Sequence, residues 1–388
     1  MLSLPQSVTE LLQALVRIPS VNPDGDPGTE FIGEKACAEY VGEFLKASGA
    51  AVVLEEILPD RPNVIGRYPT NASSDGAAKK KIVFAPHTDT VGVVGMIVEP
   101  FGGELRDGKV WGRGASDTKG PMAAMLWALH ELHSTGELAA LPVEVHFAGF
   151  MSEETAQHGS RHFAEKHGAE YAFGIIGEPT GLETVFKHKG CLWADIETFG
   201  VAVHGSRPEL GENAILRMAR LIKALDGEFR GQLAEAGGED AWLGKTTLSL
   251  GMIRGGSRPN ITADHCVLTV DIRFTPDLHR QGGPLALLEA FVAAHDETAR
   301  VTPRMKPQPC LDTPEEDVFV QKLVAAGAPL GGAPWVCDAA FLAQGGVPSV
   351  AIGPGTIAQA HTIDEHISVA DLEDGVRFFK AWLRSLAE

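Results

Sequence analysis

At 388 residues the chain is longer than one hydrophobic core commonly accommodates, so two domains are expected. Its 51 acidic residues against 33 basic ones leave a net charge of −18, which argues against nucleic acid or an anionic membrane as a partner. Five scattered cysteines (Cys37, Cys191, Cys266, Cys310 and Cys337) without CxxC spacing, no basic leader and no run of ~20 apolar residues together predict reduced, buried thiols in a cytoplasmic protein.

Ser7 and Glu10 stand as N-cap and N3 of a capping box, predicting a helix over 7–17 with Leu11, Leu12, Leu15 and Val16 on one face. Ile18–Gly25 is a loop of turn formers, and a second helix is expected from about Thr29 to Ser48. Ala51–Leu58 and Asn63–Arg67 read as strands, and the polar stretch Thr70–Lys80 as a surface hairpin. The short apolar run Lys81–Ala85 reads as a buried strand of a parallel sheet, with His87 and Asp89 emerging on one side at its carboxyl end. A glycine-rich stretch, Trp111–Gly120, then leads into a helix over Pro121–Leu132 that is apolar almost all round and so buried.

Val143–Met151 is the next expected strand, with Glu153 and Glu154 at its end. A short helix over 159–167 and a strand over Tyr171–Ile176, ending in Gly177-Glu178-Pro179-Thr180, follow. Strands alternating with helices predict an α/β domain with a mainly parallel sheet. Near Leu182 the order changes to strand, helix, strand, strand, helix, strand, with helices near 212–226 and 283–297 and strands including Thr246–Ile253 and Cys266–Phe274. That order predicts an inserted α+β, ferredoxin-like domain with a four-stranded antiparallel sheet. From Pro307 the α/β character returns: helices at Asp317–Ala326 and Ala339–Ala343, a strand at Ser349–Ile352 and a closing helix at Val369–Leu386. The expected domains are therefore 1–181 with 307–388, and 182–306.

Five potential ligands, His87, Asp117, Glu154, Glu178 and His361, fall at element ends, where open α/β sheets bind ligands. Each has an ordinary reading by itself: a helix cap for Asp117, solvated surface for Glu153–Glu154, a turn acid for Glu178, a loop histidine for His361. Together, two imidazoles and three carboxylates suit two divalent ions sharing one carboxylate. Zinc, cobalt and manganese all fit such a donor set.

His87-Thr88-Asp89, Gly114–Gly120, Glu153-Glu154, Gly177–Thr180 and His361, in this order over nearly the whole chain, resemble the two-zinc M20 family of amidohydrolases and exopeptidases. The resemblance implies that His87 and Glu178 hold one ion and Glu154 and His361 the other, with Asp117 bridging, Asp89 orienting His87 and Glu153 as general base. It further implies that the insert is a lid and dimerisation domain of a homodimer. In it His204, within Val201–Pro208, would stabilise the oxyanion in the partner's active site, and Asn260 and Arg273 would grip a substrate carboxylate. Gly353–His361 and Glu178-Pro179-Thr180 with His188-Lys189-Gly190 look most like acetylornithine deacetylases. Pro86 and Gly92–Gly95 depart from that pattern beside the expected cleft. The implied reaction is metal-dependent hydrolysis of a small N-acyl amino acid, N-acetylornithine first. Alternatives are a succinyl-diaminopimelate desuccinylase, a dipeptidase or carboxypeptidase of the same family or, remotely, a non-catalytic binding module.

Overall fold

Ile82, Val83, Phe84 and Ala85 are all solvent-free, because the strand they form, Lys80–Pro86, is covered on both faces. In the computed structural model, which describes residues 4–25, 31–72, 76 and 78–387, this strand lies near the middle of a mixed sheet. Its neighbours are Val143–Gly149 and Tyr171–Gly177, both parallel to it, and Ser349–Ala351 continues the parallel block beyond Tyr171–Gly177. Antiparallel strands flank the block: Arg61–Arg67 then Ala51–Leu58 on one side, Thr184–His188 on the other. The result is the expected α/β class with a parallel centre.

One face of the sheet carries the helix Lys119–Ser134, which packs against Val8–Val16 and the closing helix Val369–Ser385. Phe84 meets Phe379 and Trp382 edge-on at 5.4 and 5.9 Å, a geometry that aligns ring edges with ring faces. On the other face the Phe163 ring, from helix His158–His167, contacts Phe150 and Tyr171. The second helix runs Lys35–Ala47; its expected start at Thr29 lies outside the described residues, as does part of the expected Thr70–Lys80 hairpin (73–75 and 77).

The buried helix begins at Lys119, two residues earlier than its apolar pattern predicts. The Lys119 ammonium is fully buried and donates to the carbonyls of Leu15 (3.1 Å) and Ile18 (2.7 Å). Carbonyls at the carboxyl end of the first helix are natural partners for a cation, and the Leu15 carbonyl also accepts the Ile18 N–H at 3.1 Å.

Within the sheet His146 is 4% exposed and its Nδ1 lies 2.8 Å from the Tyr171 hydroxyl. Burial, helped by Arg67 and Lys81, pushes its pKa down to about 4. As pH falls from 6.5 to 4 the unfolded chain takes up a proton that the folded chain refuses, so this group should remove about 3 kcal/mol of stability over that window. Urea unfolding of wild type and His146→Gln across pH 4–7 should show the acid-side loss diminished in the variant; parallel curves would refute the assignment.

The compact units divide at Phe186/Lys187 and Asp312/Thr313, against the expected 181/182 and 306/307, and the second also takes in Gly332–Val336. That second unit has a four-stranded antiparallel sheet in the order Thr247–Gly255, His265–Phe274, Gly190–Phe199, Arg300–Pro303. Cys266, Leu268, Val270, Ile272 and Phe274 alternate onto its buried face, under Met218, Leu221, Leu225, Phe229 and Leu233 from one helical run and Leu288, Phe291 and Val292 from Leu285–His295. The first of these runs extends past the expected 226 to Ala236, through a π-turn at Leu225–Phe229 that keeps Leu233 on the core side.

Candidate metal centre

The parallel strands deliver the site. Pro86 pairs with Gly177 in register, so His87 and Glu178 leave neighbouring strands side by side, about one strand spacing (~4.8 Å) apart. His87 is buried, its Nε2 3.1 Å from Asp117 Oδ1 and its Nδ1 2.9 Å from the Asp89 carbonyl and 3.5 Å from Asp89 Oδ1. The expected Asp89–His87 pairing is thus shared with Asp89's own backbone oxygen. Asp89 also fastens the next loop: Oδ1 accepts the Glu153 N–H (3.0 Å), and Oδ2 accepts the Glu154 N–H (3.1 Å) and Asn22 Nδ2 (2.7 Å). Burial alone would raise the Asp89 carboxyl, but hydrogen bonds from His87, Asn22 and the Glu154 amide hold it below the usual range.

Asp117 stands between the two imidazoles. One oxygen faces His87, and the other lies 3.4 Å from His361 Nε2, which is itself 3.1 Å from Glu154 Oε2. His87, Asp117 and Glu154 offer ligand atoms all within 4.8 Å of one another. His361 and Ser152, next to Glu153, both adopt left-handed backbone (φ 62° and 66°), a strain of the kind that gathers at functional sites.

The electrostatics fit a cation. Asp89, Asp117, Glu153, Glu154, Glu178 and Asp338 crowd two histidines, and Glu154 Oε1, Glu178 Oε1 and Asp338 Oδ2 are buried without a hydrogen-bond partner. Burial, then repulsion among these acids, pushes Glu153 and Glu178 well above the ordinary carboxylate range and raises Glu154; burial brings Asp338 to about 7. His361, hydrogen-bonded to Asp117 and Glu154, is pushed up to about 10. Unpartnered carboxylate oxygens buried in a cluster with imidazoles form a donor set for a divalent ion, and the residues present therefore fit metal binding.

In the second unit His204 is exposed, its Nδ1 accepting the Ser206 N–H (3.2 Å), and the Gly205 N–H donates to the Asn260 carbonyl (2.7 Å), so His204 and Asn260 lie together. Arg273 does not join them. It sits eight residues along from His265, on the order of 27 Å at strand rise, and grips Asp271 through Nε (2.8 Å) and Nη2 (3.0 Å). Among the described residues no contact links Arg273 to His204 or Asn260.

Two residues of the site carried little sequence signal: Asn22, in a loop of turn formers, and Asp338, before a short helix; Glu365 stands with Asp364 in the segment whose resemblance extends past His361, but with no role read for it.

A family model described as Peptidase family M20/M25/M40 matches residues 83–385. Acetylornithine deacetylase of Photorhabdus laumondii is 30% identical over 370 residues, 93% of this chain and 92% of that protein. The Proteus mirabilis acetylornithine deacetylase is 29% identical, over 94% and 92%. Among solved structures, an M20 family metallo-carboxypeptidase from Sulfolobus solfataricus superposes with a TM-score of 0.79 at 17% identity, covering 99% of this chain and 100% of that one. A di-peptidase from Saccharomyces cerevisiae gives 0.75 at 14%, over 98% and 95%. At such identities the structural likeness speaks for the fold alone.

Proposed function

The chain belongs to peptidase family M20/M25/M40 and is a hydrolase, and from that premise we propose that it cleaves the amide bond of a small N-acyl amino acid, with N-acetylornithine as the substrate of first choice and arginine biosynthesis as its setting. The single observation that carries the metal-dependent reading is Asp117, with one oxygen toward His87 and the other toward His361. His87 and Glu178 would hold one divalent ion, Glu154 and His361 the other, and Asp117 would bridge; zinc is the metal proposed. Bound there, the ions would supply Lewis acidity, polarising the amide carbonyl and acidifying water.

Glu153 is the acid left over for proton transfer. Its backbone is pinned to Asp89, its carboxylate is buried among the other acids, and its raised proton affinity suits a group that takes a proton from water and returns it to the leaving nitrogen. Asp89 keeps His87 and the Glu153–Glu154 loop aligned.

The homodimer reading draws on the second unit. Among the described residues the Thr247–Gly255 strand has one unpaired edge, and Met252 and Ile253 on it are exposed, as are Ile215 and Leu216 on the adjoining helix. His204 and Asn260 would then serve the partner's active site, and Arg273 a different copy's substrate from theirs. Among the described residues no helix is long and apolar enough to cross a membrane, and a cytoplasmic enzyme is proposed.

The test is a substrate panel on the metal-loaded protein: N-acetylornithine, N-succinyl-diaminopimelate, N-acetylleucine and dipeptides. N-acetylleucine belongs in it because Val94, Ile97 and Ile363 leave exposed apolar surface two residues from His361, the Ile97 N–H bonding the Ile363 carbonyl. N-acetylornithine should give a kcat/KM at least about tenfold above the others, a margin of ~1.4 kcal/mol in transition-state binding. A dipeptide in first place would move the reading to a peptidase.

A further inference from the structure

Glu365 is fully buried, and its carboxylate is saturated by four donors that all come from the turn leading into Asp117. Oε1 accepts the backbone N–H groups of Ser116 and Asp117, each at 2.9 Å. Oε2 accepts the Gly114 N–H at 3.0 Å and Arg113 Nη1 at 2.6 Å. The Gly112 N–H donates to the Glu365 carbonyl at 3.0 Å, and Arg113 Nε reaches on to the Gly92 carbonyl at 3.0 Å. Successive backbone amides turned inward make a nest for an anion, and bonds to an ionised acceptor are the stronger kind. Here the anion is a side chain borne by the segment that presents His361.

The two turns joined in this way carry the two groups whose spacing matters most. Asp117 faces both imidazoles, whereas the side chain of His361 meets only Asp117 and Glu154 among the described residues. Nothing in the imidazole's own contacts fixes its distance from Asp117 when those groups turn to a ligand. The fixed link is the four-residue path from His361 to Glu365, and from Glu365 onto the Asp117 amide.

We infer that Glu365 is a positioning residue that sets the spacing of Asp117 and His361, and so the affinity for the ion on the His361 side; this rests on the metal-pair reading above. A carboxylate that merely knits two loops together would weaken both ions and the fold alike. A positioning role falls harder on the His361 side: both ions would share Asp117, but the other ion would keep His87 and Glu178, which issue from sheet strands.

The experiment titrates metal-free wild type, Glu365→Gln and Glu365→Asp with cobalt(II) against a competing chelator, resolving two stepwise constants, and records the metal-free melting temperature of each. Glutamine keeps the shape but presents an NH2 group to N–H donors. In that variant one of the two stepwise dissociation constants should rise about 10–100-fold while the other changes less than about threefold, the usual cost of losing a residue that orients a ligand. Turnover lost at low metal should return as cobalt is raised. The aspartate variant, charged but one methylene shorter, should fall between. Wild-type affinities in Glu365→Gln, or equal losses at both ions, overturn the inference. Should Glu365→Gln not fold, Glu365→Asp carries the same comparison, and wild-type binding there overturns it. A wild-type chain that takes up no pair of ions overturns the metal reading and this inference with it.

Discussion

Glu153→Gln is expected to lower kcat about 10²–10⁴-fold with both ions still bound, because proton transfer at a positioned side chain is worth that much. Glutamine occupies the same volume and retains the backbone bond to Asp89, so the loop that presents Glu154 should hold its place. The variant also removes one ionisable group from a crowded set. Burial, with repulsion from Glu178, Asp338 and Glu154, already disfavours the charged form of Glu153, so the metal-free variant should melt no lower than metal-free wild type. The measurements are kcat and KM on N-acetylornithine, metal content by mass spectrometry and a thermal melt. Undiminished turnover with two ions bound would remove Glu153 from the mechanism.

Thorough chelation should abolish activity and make stability depend on pH in a way that the metal-loaded protein does not share. Glu153, Glu154, Glu178 and Asp338 all have folded-state proton affinities raised above their unfolded values, chiefly by burial. The folded chain therefore holds more protons than the unfolded chain once pH exceeds about 4, and loses stability as pH climbs through the raised pKa values, about 7 for Asp338. His361 acts in the same direction. Held up to about 10 by Asp117 and then Glu154, it contributes fully below pH 6.5 and loses its contribution as pH rises toward 10. Divalent ions bound here would neutralise this cluster, and ligand present at 1,000 times its dissociation constant adds about 4 kcal/mol. The metal-induced rise in melting temperature should accordingly grow from pH 5 to pH 9. A constant increment would mean that the acids are not repelling one another in the metal-free state.

How much of this was legible in the sequence follows from where each feature gets its partners. The His87 strand, the Glu178 strand and the glycine-rich entry to Asp117 could be read because local pattern makes them: an apolar run too short for a helix, a turn at its carboxyl end, a ligand just beyond. Four of the five expected ligands are linked by direct contacts, and the fifth follows from strand register. The supporting residues were hidden because their meaning depends on distant segments. Asn22 looks like a turn former until Asp89, 67 residues on, is placed against it, and Glu365, part of a resembling segment, has no readable role until the Asp117 amide, 248 residues away, reaches it. Arg273 shows how much a partner decides: a residue type suited to gripping a carboxylate is engaged by Asp271, two residues away on the same face of its strand.

The ammonium of Lys119 belongs to the residue two places after Asp117, yet the oxygens that receive it are those of Leu15 and Ile18. Shortening the polypeptide past that first helix would strand a cation in a buried interior two residues from Asp117. The segment from Ser7 to Ile18 is thus a foundation of the candidate metal centre, and expression designs that trim or fuse this end should leave everything from Ser7 onward intact.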